Sequence, residues 1–232
     1  MPGDYADIRN GADSFRAYVS RPAASRAPGL VVIQEIFGVN AVMRELTDGY
    51  AAAGYLAVCP DLFWRIEPGI DITDQSPAEW ERAFSLFKAF DVDQGVKDIA
   101  ATLSHVRSDP ACSGKVGAVG FCLGGLLAFL TATRTDADAS VSYYGVGLDN
   151  AVAEAGKLTR PVLLHIAEED SFVPKPAQEA IVAALKGNPL VEIHTYPGRN
   201  HAFARRGGEH HHAADAELAN QRTLAFLARN LA

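Results

Sequence analysis

Cysteine is scarce in this chain, with Cys59, Cys112 and Cys122 the three among 232 residues. Their number is odd and their spacing matches no metal-ligand pattern, which argues against a disulfide scaffold and points to a reducing compartment, the cytoplasm. No run approaches the roughly 18 apolar residues that cross a bilayer. The opening "MPGDYADIRNGADSF" lacks the apolar core of a secretory signal. Lysine and arginine form no block, and the formal net charge is −7 with a pI of about 5.5. Neither nucleic acid nor a membrane is therefore an expected partner, and the negative balance reads as solubility. Pro/Ser-rich linkers, internal repeats and low-complexity tracts are missing as well.

What is present is apolar and periodic. Hydrophobic residues make up 48% of the chain, enough to bury the core of one large domain, so residues 1–232 are expected to form a single domain. Strand-length runs are expected at 15–19, 30–35, 55–59, 115–120, 140–144, 161–166 and 191–196. Helices are expected at 41–53, 77–90, 93–108, 123–133, 175–185 and 214–230. Runs such as "GLVVIQ" and "PVLLHI" are apolar almost throughout, as suits strands covered on both faces. Ser76 and Pro77 form a helix start, and Pro174-Lys175-Pro176 opens another. Strands alternating with helices predict an α/β fold with a doubly wound, mostly parallel sheet. Ligand sites in such sheets lie beyond the carboxyl ends of the strands. The longest irregular stretch, "RIEPGIDITDQSP" over 65–77, is long enough to carry function.

The segment "KVGAVGFCLGGLLAFL" joins a strand to a helix through Gly120-Phe121-Cys122-Leu123-Gly124. This is the form of a nucleophile elbow with cysteine in place of serine. A sharp turn there strains the central residue, demands small neighbours and sets the thiol at a helix N-terminus, where the dipole favours a thiolate. The N–H of Leu123 would face a developing oxyanion. Taken alone, the pentapeptide fits a buried structural cysteine as well. Asp170, after the strand in "LLHIAEEDSFVP", and His201, after the strand in "YPGRNHAF", change the balance. The order Cys122, Asp170, His201, each at a different strand end, is that of a nucleophile–acid–base triad.

Other titratable residues read as structural. Glu168 and Glu169 neighbour Asp170 without leading into the helix. His165 fits a packed core histidine, His194 a half-exposed strand residue, and His210-His211-His212 a solvated loop with no metal partner nearby. Cys59 reads as a strand-end core residue and Cys112 as a turn residue. Glu35 stands out because Ile33, Ile36 and Phe37 around it leave no solvent-facing alternation. Its expected place is a strand end beside Cys122, where its charge would disfavour a resting thiolate. The N–H of Ile36 would be the second oxyanion donor.

"QEIFGVN", "CPDLFWR", "GFCLGG", "YYGVGL", "DSFVP" and "HAFAR" together resemble the dienelactone hydrolases, over nearly the whole chain. The resemblance implies an α/β-hydrolase fold, no metal or organic cofactor, and a Cys122–His201–Asp170 triad cleaving small lactones through an acyl-enzyme. It also implies that Glu35 helps activate the thiol, and that Arg205 binds the substrate carboxylate and pairs with Glu35. Phe37 and Tyr144, inside these segments, are taken as further substrate-binding residues. One departure concerns Trp80, which stands where the family carries a second carboxylate-binding arginine. Arg82 lies on another helix face, two positions on from Trp80. An indole removes charge complementarity but offers an aromatic face. The expected partner is thus a small, anionic lactone or ester, and the expected assembly a monomer or small homo-oligomer. The alternatives are a broader carboxylesterase or thioesterase on the same fold, and a thiol sensor built on Cys122.

Overall fold

The computed structural model describes residues 3–232. They fall into two compact units, one ending at Gly117 and the other spanning Ala118–Ala232. In the first unit β1 (Asp4–Asn10) and β2 (Asp13–Ser20) form an antiparallel hairpin. Strand β3 (Ala27–Ile33) runs parallel to β4 (Leu56–Pro60), which pairs antiparallel with β2 on its other edge. Leu30, Val31, Val32 and Ile33 are fully buried, as expected of a strand covered on both faces. Helices α1 (Ala41–Ala52), α2 (Pro77–Ala89) and α3 (Val92–Ser108) complete this unit.

In this unit the start of each of the three helices is written in a side chain. The Asn40 Oδ1 accepts from the Met43 N–H at 3.1 Å, and the Ser76 Oγ accepts from Glu79 N–H at 3.3 Å. Asp91 accepts from the N–H groups of Asp93 and Gln94. Such caps satisfy helix donors that have no partner within the helix, and each contributes about 1 kcal/mol.

The second unit begins within β5 (Cys112–Phe121) and continues through α4 (Leu123–Arg134), β6 (Ser140–Tyr143), β7 (Val162–Ala167), α5 (Lys175–Leu185), β8 (Val191–Tyr196) and α6 (Ala213–Leu231). Strands β5, β6, β7 and β8 pair in that order, all parallel. The register sets Phe121 beside Tyr143 and Tyr143 beside His165, so the carboxyl ends lie nearly level. The loops that leave them, carrying Cys122, Tyr144, Asp170 and His201, consequently open on one edge. Helix α4 is buried almost from end to end, and its Thr131 hydroxyl is satisfied by donating to the Leu127 carbonyl at 2.7 Å.

The seven strands and six helices expected from sequence are all present, with ends shifted by at most three residues. Strand β1 was not expected: "DYADIRN" buries Ile8 alone and so carries no apolar alternation. Two short 3₁₀ helices, Leu148–Asn150 and Val152–Lys157, were also unforeseen. Cys112 is a buried first residue of β5 instead of a turn residue. Glu35 lies beyond β3, which ends at Ile33.

Candidate active site

Cys122 sits between β5 and α4 at φ 58° and ψ −116°. A non-glycine residue there carries roughly 1–3 kcal/mol of strain, which the surroundings must hold in place. They do so by close packing and main-chain bonds. A Cβ on Gly120 would lie 1.9 Å from the Gly124 carbonyl oxygen, and one on Gly125 would lie 2.5 Å from that of Tyr143. The Cys122 N–H donates to the Tyr143 carbonyl at 3.1 Å, while its own carbonyl accepts from the N–H groups of Gly125 and Val146. The glycines of the elbow are thus required by contact.

Tyr144 and Ala202 are the other non-glycine residues with positive φ among the described residues, at 39° and 59°. Both lie at strand-end loops, and Ala202 directly follows His201. Tyr144 is pinned by its N–H, which donates to the His165 carbonyl at 2.8 Å. Backbone strain of the second unit is therefore concentrated around the residues proposed for chemistry.

Asp170 and His201, from different strand ends, meet side chain to side chain. His201 Nδ1 lies 2.9 and 3.1 Å from the Asp170 carboxylate oxygens, and both side chains are buried. Asp170 is oriented in turn by the N–H groups of Phe172 and Val173, which donate to Oδ1 at 2.8 and 3.0 Å. This leaves the other imidazole nitrogen for Cys122, whose side chain is hydrogen-bonded to His201. Rings of Phe172 and Tyr144 stand edge-on to the imidazole at 4.9 and 5.1 Å. Burial alone disfavours the imidazolium. The electrostatic influence of Cys122, with hydrogen bonds to Asp170 and Cys122, outweighs burial and raises the His201 pKa to about 10.

Arg205 lies in the same turn region, its N–H bonded to the Ala202 carbonyl at 2.9 Å. A Cβ on Gly208 would come within 2.9 Å of Arg205 Nε, so the bare glycine leaves room for the guanidinium. His165 is a core histidine as expected, bonded to the Tyr196 and Thr223 hydroxyls at 2.8 and 2.9 Å. Burial lowers its pKa well below the ordinary value, with the charges of His194 and Arg222 adding to the effect. His194 is half-buried, its Nε2 2.8 Å from a Glu192 carboxylate oxygen. His210 and His211 are exposed, and His212 caps α6 through the Asp215 N–H. Among the described residues no group of three or more His, Cys, Asp or Glu is arranged to hold a metal.

The remaining candidates belong to the first unit. Glu35 is 3% exposed and Ile36 5%, in a segment tied to the 65–77 stretch. The Ile72 N–H donates to the Phe37 carbonyl, Asn40 Nδ2 donates to that of Ile72, and Gly38 packs so closely on Ile70 that a Cβ would lie 1.9 Å from its carbonyl oxygen. That long connection therefore shapes the segment that carries Glu35 and Ile36. The Trp80 indole donates to the Asp74 carbonyl at 3.0 Å, stacks on Phe84 at 5.4 Å and meets Phe37 edge-on at 5.1 Å. Arg82 pairs instead with Glu67. Sequence reading overlooked Phe172, hidden as one apolar residue in a turn, and Asn200, which accepts from the distant Ser171 as well as from its neighbour His201.

A sequence profile described as the dienelactone hydrolase family matches residues 15–231. A provisionally named carboxymethylenebutenolidase of Azospirillum brasilense is 55% identical over 222 residues, 94% of each chain. The carboxymethylenebutenolidase of Pseudomonas putida is 44% identical over 215 residues, covering 93% of this chain and 91% of its own. A crystal structure of a provisionally named dienelactone hydrolase from Klebsiella pneumoniae superposes with a TM-score of 0.82 at 28% identity, covering 97% of this chain and 98% of the other. Together these define an α/β enzyme, a hydrolase acting on ester or lactone bonds. The chain belongs to the dienelactone hydrolase family.

The charge balance at His201 yields a pH prediction. Its ordinary value is near 6.5 and its folded value about 10. The contribution of His201 to stability is thus complete below pH 6.5 and is lost as pH rises through about 10. In Cys122→Ser the sulfur that helps raise the His201 value is gone while burial persists, so His201 should titrate at lower pH than in the parent. Histidine NMR titration of the two proteins measures this, and an unchanged midpoint would exclude Cys122 as a cause of the raised value.

Proposed function

We propose that the chain is a cysteine hydrolase of small anionic lactones, with dienelactones (carboxymethylenebutenolides) as the substrate class, working through an acyl-enzyme. The observation that carries this reading is the hydrogen-bonded line Asp170–His201–Cys122 on a strained turn at a helix N-terminus. The names of the relatives support the substrate class. In this reading the substrate carboxylate binds Arg205 and loosens its pair with Glu35, which then accepts the Cys122 proton. The thiolate attacks the carbonyl carbon, and the N–H groups of Leu123 and Ile36 hold the oxyanion. His201, held as the imidazolium and oriented by Asp170, gives its proton to the leaving ring oxygen. It then takes a proton from water, whose oxygen attacks the thioester and returns the thiolate. Glu35 restores the thiol proton at the end of the cycle. Phe37, Tyr144 and Trp80 contact the rest of the substrate.

Residues 1–232 act as one domain in this account, in the breakdown of aromatic compounds. The three cysteines are free and buried, which fits a reducing cytoplasm. The assembly is a monomer or small homo-oligomer. A second reading, a broader carboxylesterase, draws on Trp80. Its ring is fixed between Phe37 and Phe84 and by the Asp74 carbonyl, which favours an acyl or alcohol group with apolar bulk over a second carboxylate contact.

One substrate panel tests both readings. With cis- and trans-dienelactones and neutral nitrophenyl esters, Cys122→Ala should lose about 1,000-fold or more in kcat/KM on every substrate while keeping its circular dichroism. Near-parental turnover would rule out the nucleophile. Trp80→Arg should shift preference towards the dienelactones, and a parental preference ratio would exclude Trp80 from specificity. The gating by Glu35 has its own readout. Glu35→Gln should speed iodoacetamide labelling of Cys122 in the resting enzyme, and equal or slower labelling would remove Glu35 from that role.

A further inference from the structure

We propose that Asn200 is a positioning residue for hydrolysis, its single carboxamide oxygen joining the loop that carries Asp170 to the loop that carries His201. The inference rests on the triad reading above and deepens it. Asn200 Oδ1 accepts from the Ser171 N–H at 2.9 Å and from the His201 N–H at 2.6 Å. One donor directly follows the acid and the other belongs to the base. Acid and base leave different strands, β7 and β8, and stand 31 positions apart, so their spacing depends on how the two loops are tied.

The ties form a graded series. Next to the strands the main chain makes them: the Glu168 N–H donates to the Tyr196 carbonyl at 3.2 Å, and the Glu169 N–H to that of Arg199 at 2.8 Å. At Ser171 the loop has turned towards α5 and a side chain takes over, the amide of Asn200. Asp170 itself is anchored from within its own loop by the Phe172 and Val173 N–H groups. Those bonds aim the carboxylate but do not set where the imidazole loop stands. The carboxamide oxygen does, since it is bonded to both loops at once.

The orientation of the amide is dictated by chemistry. Two main-chain N–H donors require the oxygen between them, because an NH₂ group there would set donors against donors. Nδ2 therefore points away, 3.3 Å from His210 Nε2, which must accept. This gives one member of the His210–His212 run a part in the site: the exposed imidazole steadies the amide from outside.

The test uses Asn200→Ala and Asn200→Asp in the full-length enzyme, with two readouts. The first is kcat and KM on a hydrolysed ester. The second is the downfield proton NMR resonance of His201 Nδ1–H in its bond to Asp170. Asn200→Ala should lower kcat by about 10- to 100-fold with little change in KM, the range expected when a supporting contact lets reacting groups drift. Its downfield resonance should broaden or move upfield. Asn200→Asp keeps an acceptor in place and should retain most of kcat and the resonance. Parental kcat and resonance in Asn200→Ala would overturn the proposal. So would equal losses in both variants, because the acceptor would then not be what matters. Should Asn200→Ala fail to fold, Asn200→Asp decides alone, by keeping or losing kcat and the resonance. The resonance reports the Asp170–His201 pair whether or not Cys122 is the nucleophile, so failure here and failure of the triad reading are distinguishable.

Discussion

At Cys122 the backbone is held at φ 58° and ψ −116° between a strand and a buried helix, and much of the second unit is arranged to keep it there. Gly120 and Gly125 permit contacts that any Cβ would forbid, and the Tyr143 carbonyl takes the Cys122 N–H. The neighbouring loop repeats the device: Tyr144, also at positive φ, is held by the carbonyl of His165. Each strand end is locked by the next one across the sheet. Strain is placed where chemistry is proposed, and it is held by hydrogen bonds between neighbouring strand ends.

Charge follows from this geometry. A thiol at the N-terminus of α4 lies in a favourable dipole and touches an imidazole that Asp170 holds from the other side. Burial acts against an imidazolium, yet the influence of Cys122 and Asp170 outweighs it, so thiol and imidazole are coupled. In the proposed cycle this coupling lets one histidine act as acid towards the leaving oxygen and then as base towards water. Glu35 supplies the opposing influence in that proposal, a buried carboxylate that favours a protonated resting thiol.

Much of this was legible in the amino-acid order. The β5–α4 turn announced itself by its glycines, and Asp170 and His201 by their places after apolar strands. Strand β1 was not legible, because a polar edge strand with one buried side chain leaves no alternating pattern. The apolar run "LVVIQEIFG" suggested strand as far as Glu35, whereas the strand stops at Ile33. The following segment is instead ordered by hydrogen bonds to Ile72, across a stretch no local rule connects. Asn200 was equally hidden: in "GRNH" it looks like an ordinary turn residue, and its meaning depends on Ser171, 29 positions earlier. Local chemistry is written in local sequence, while ties between loops are set by the strand register.

The central claim is a covalent one, that the acyl group passes through Cys122. Rapid quenching during turnover of a slowly deacylating ester, followed by intact-mass and peptide mass spectrometry, tests it most directly. The account predicts a transient increase in mass equal to the acyl group, mapped to the peptide containing Cys122 and decaying as product accumulates. Steady turnover with no adduct on that peptide, or an adduct on another residue, would contradict it.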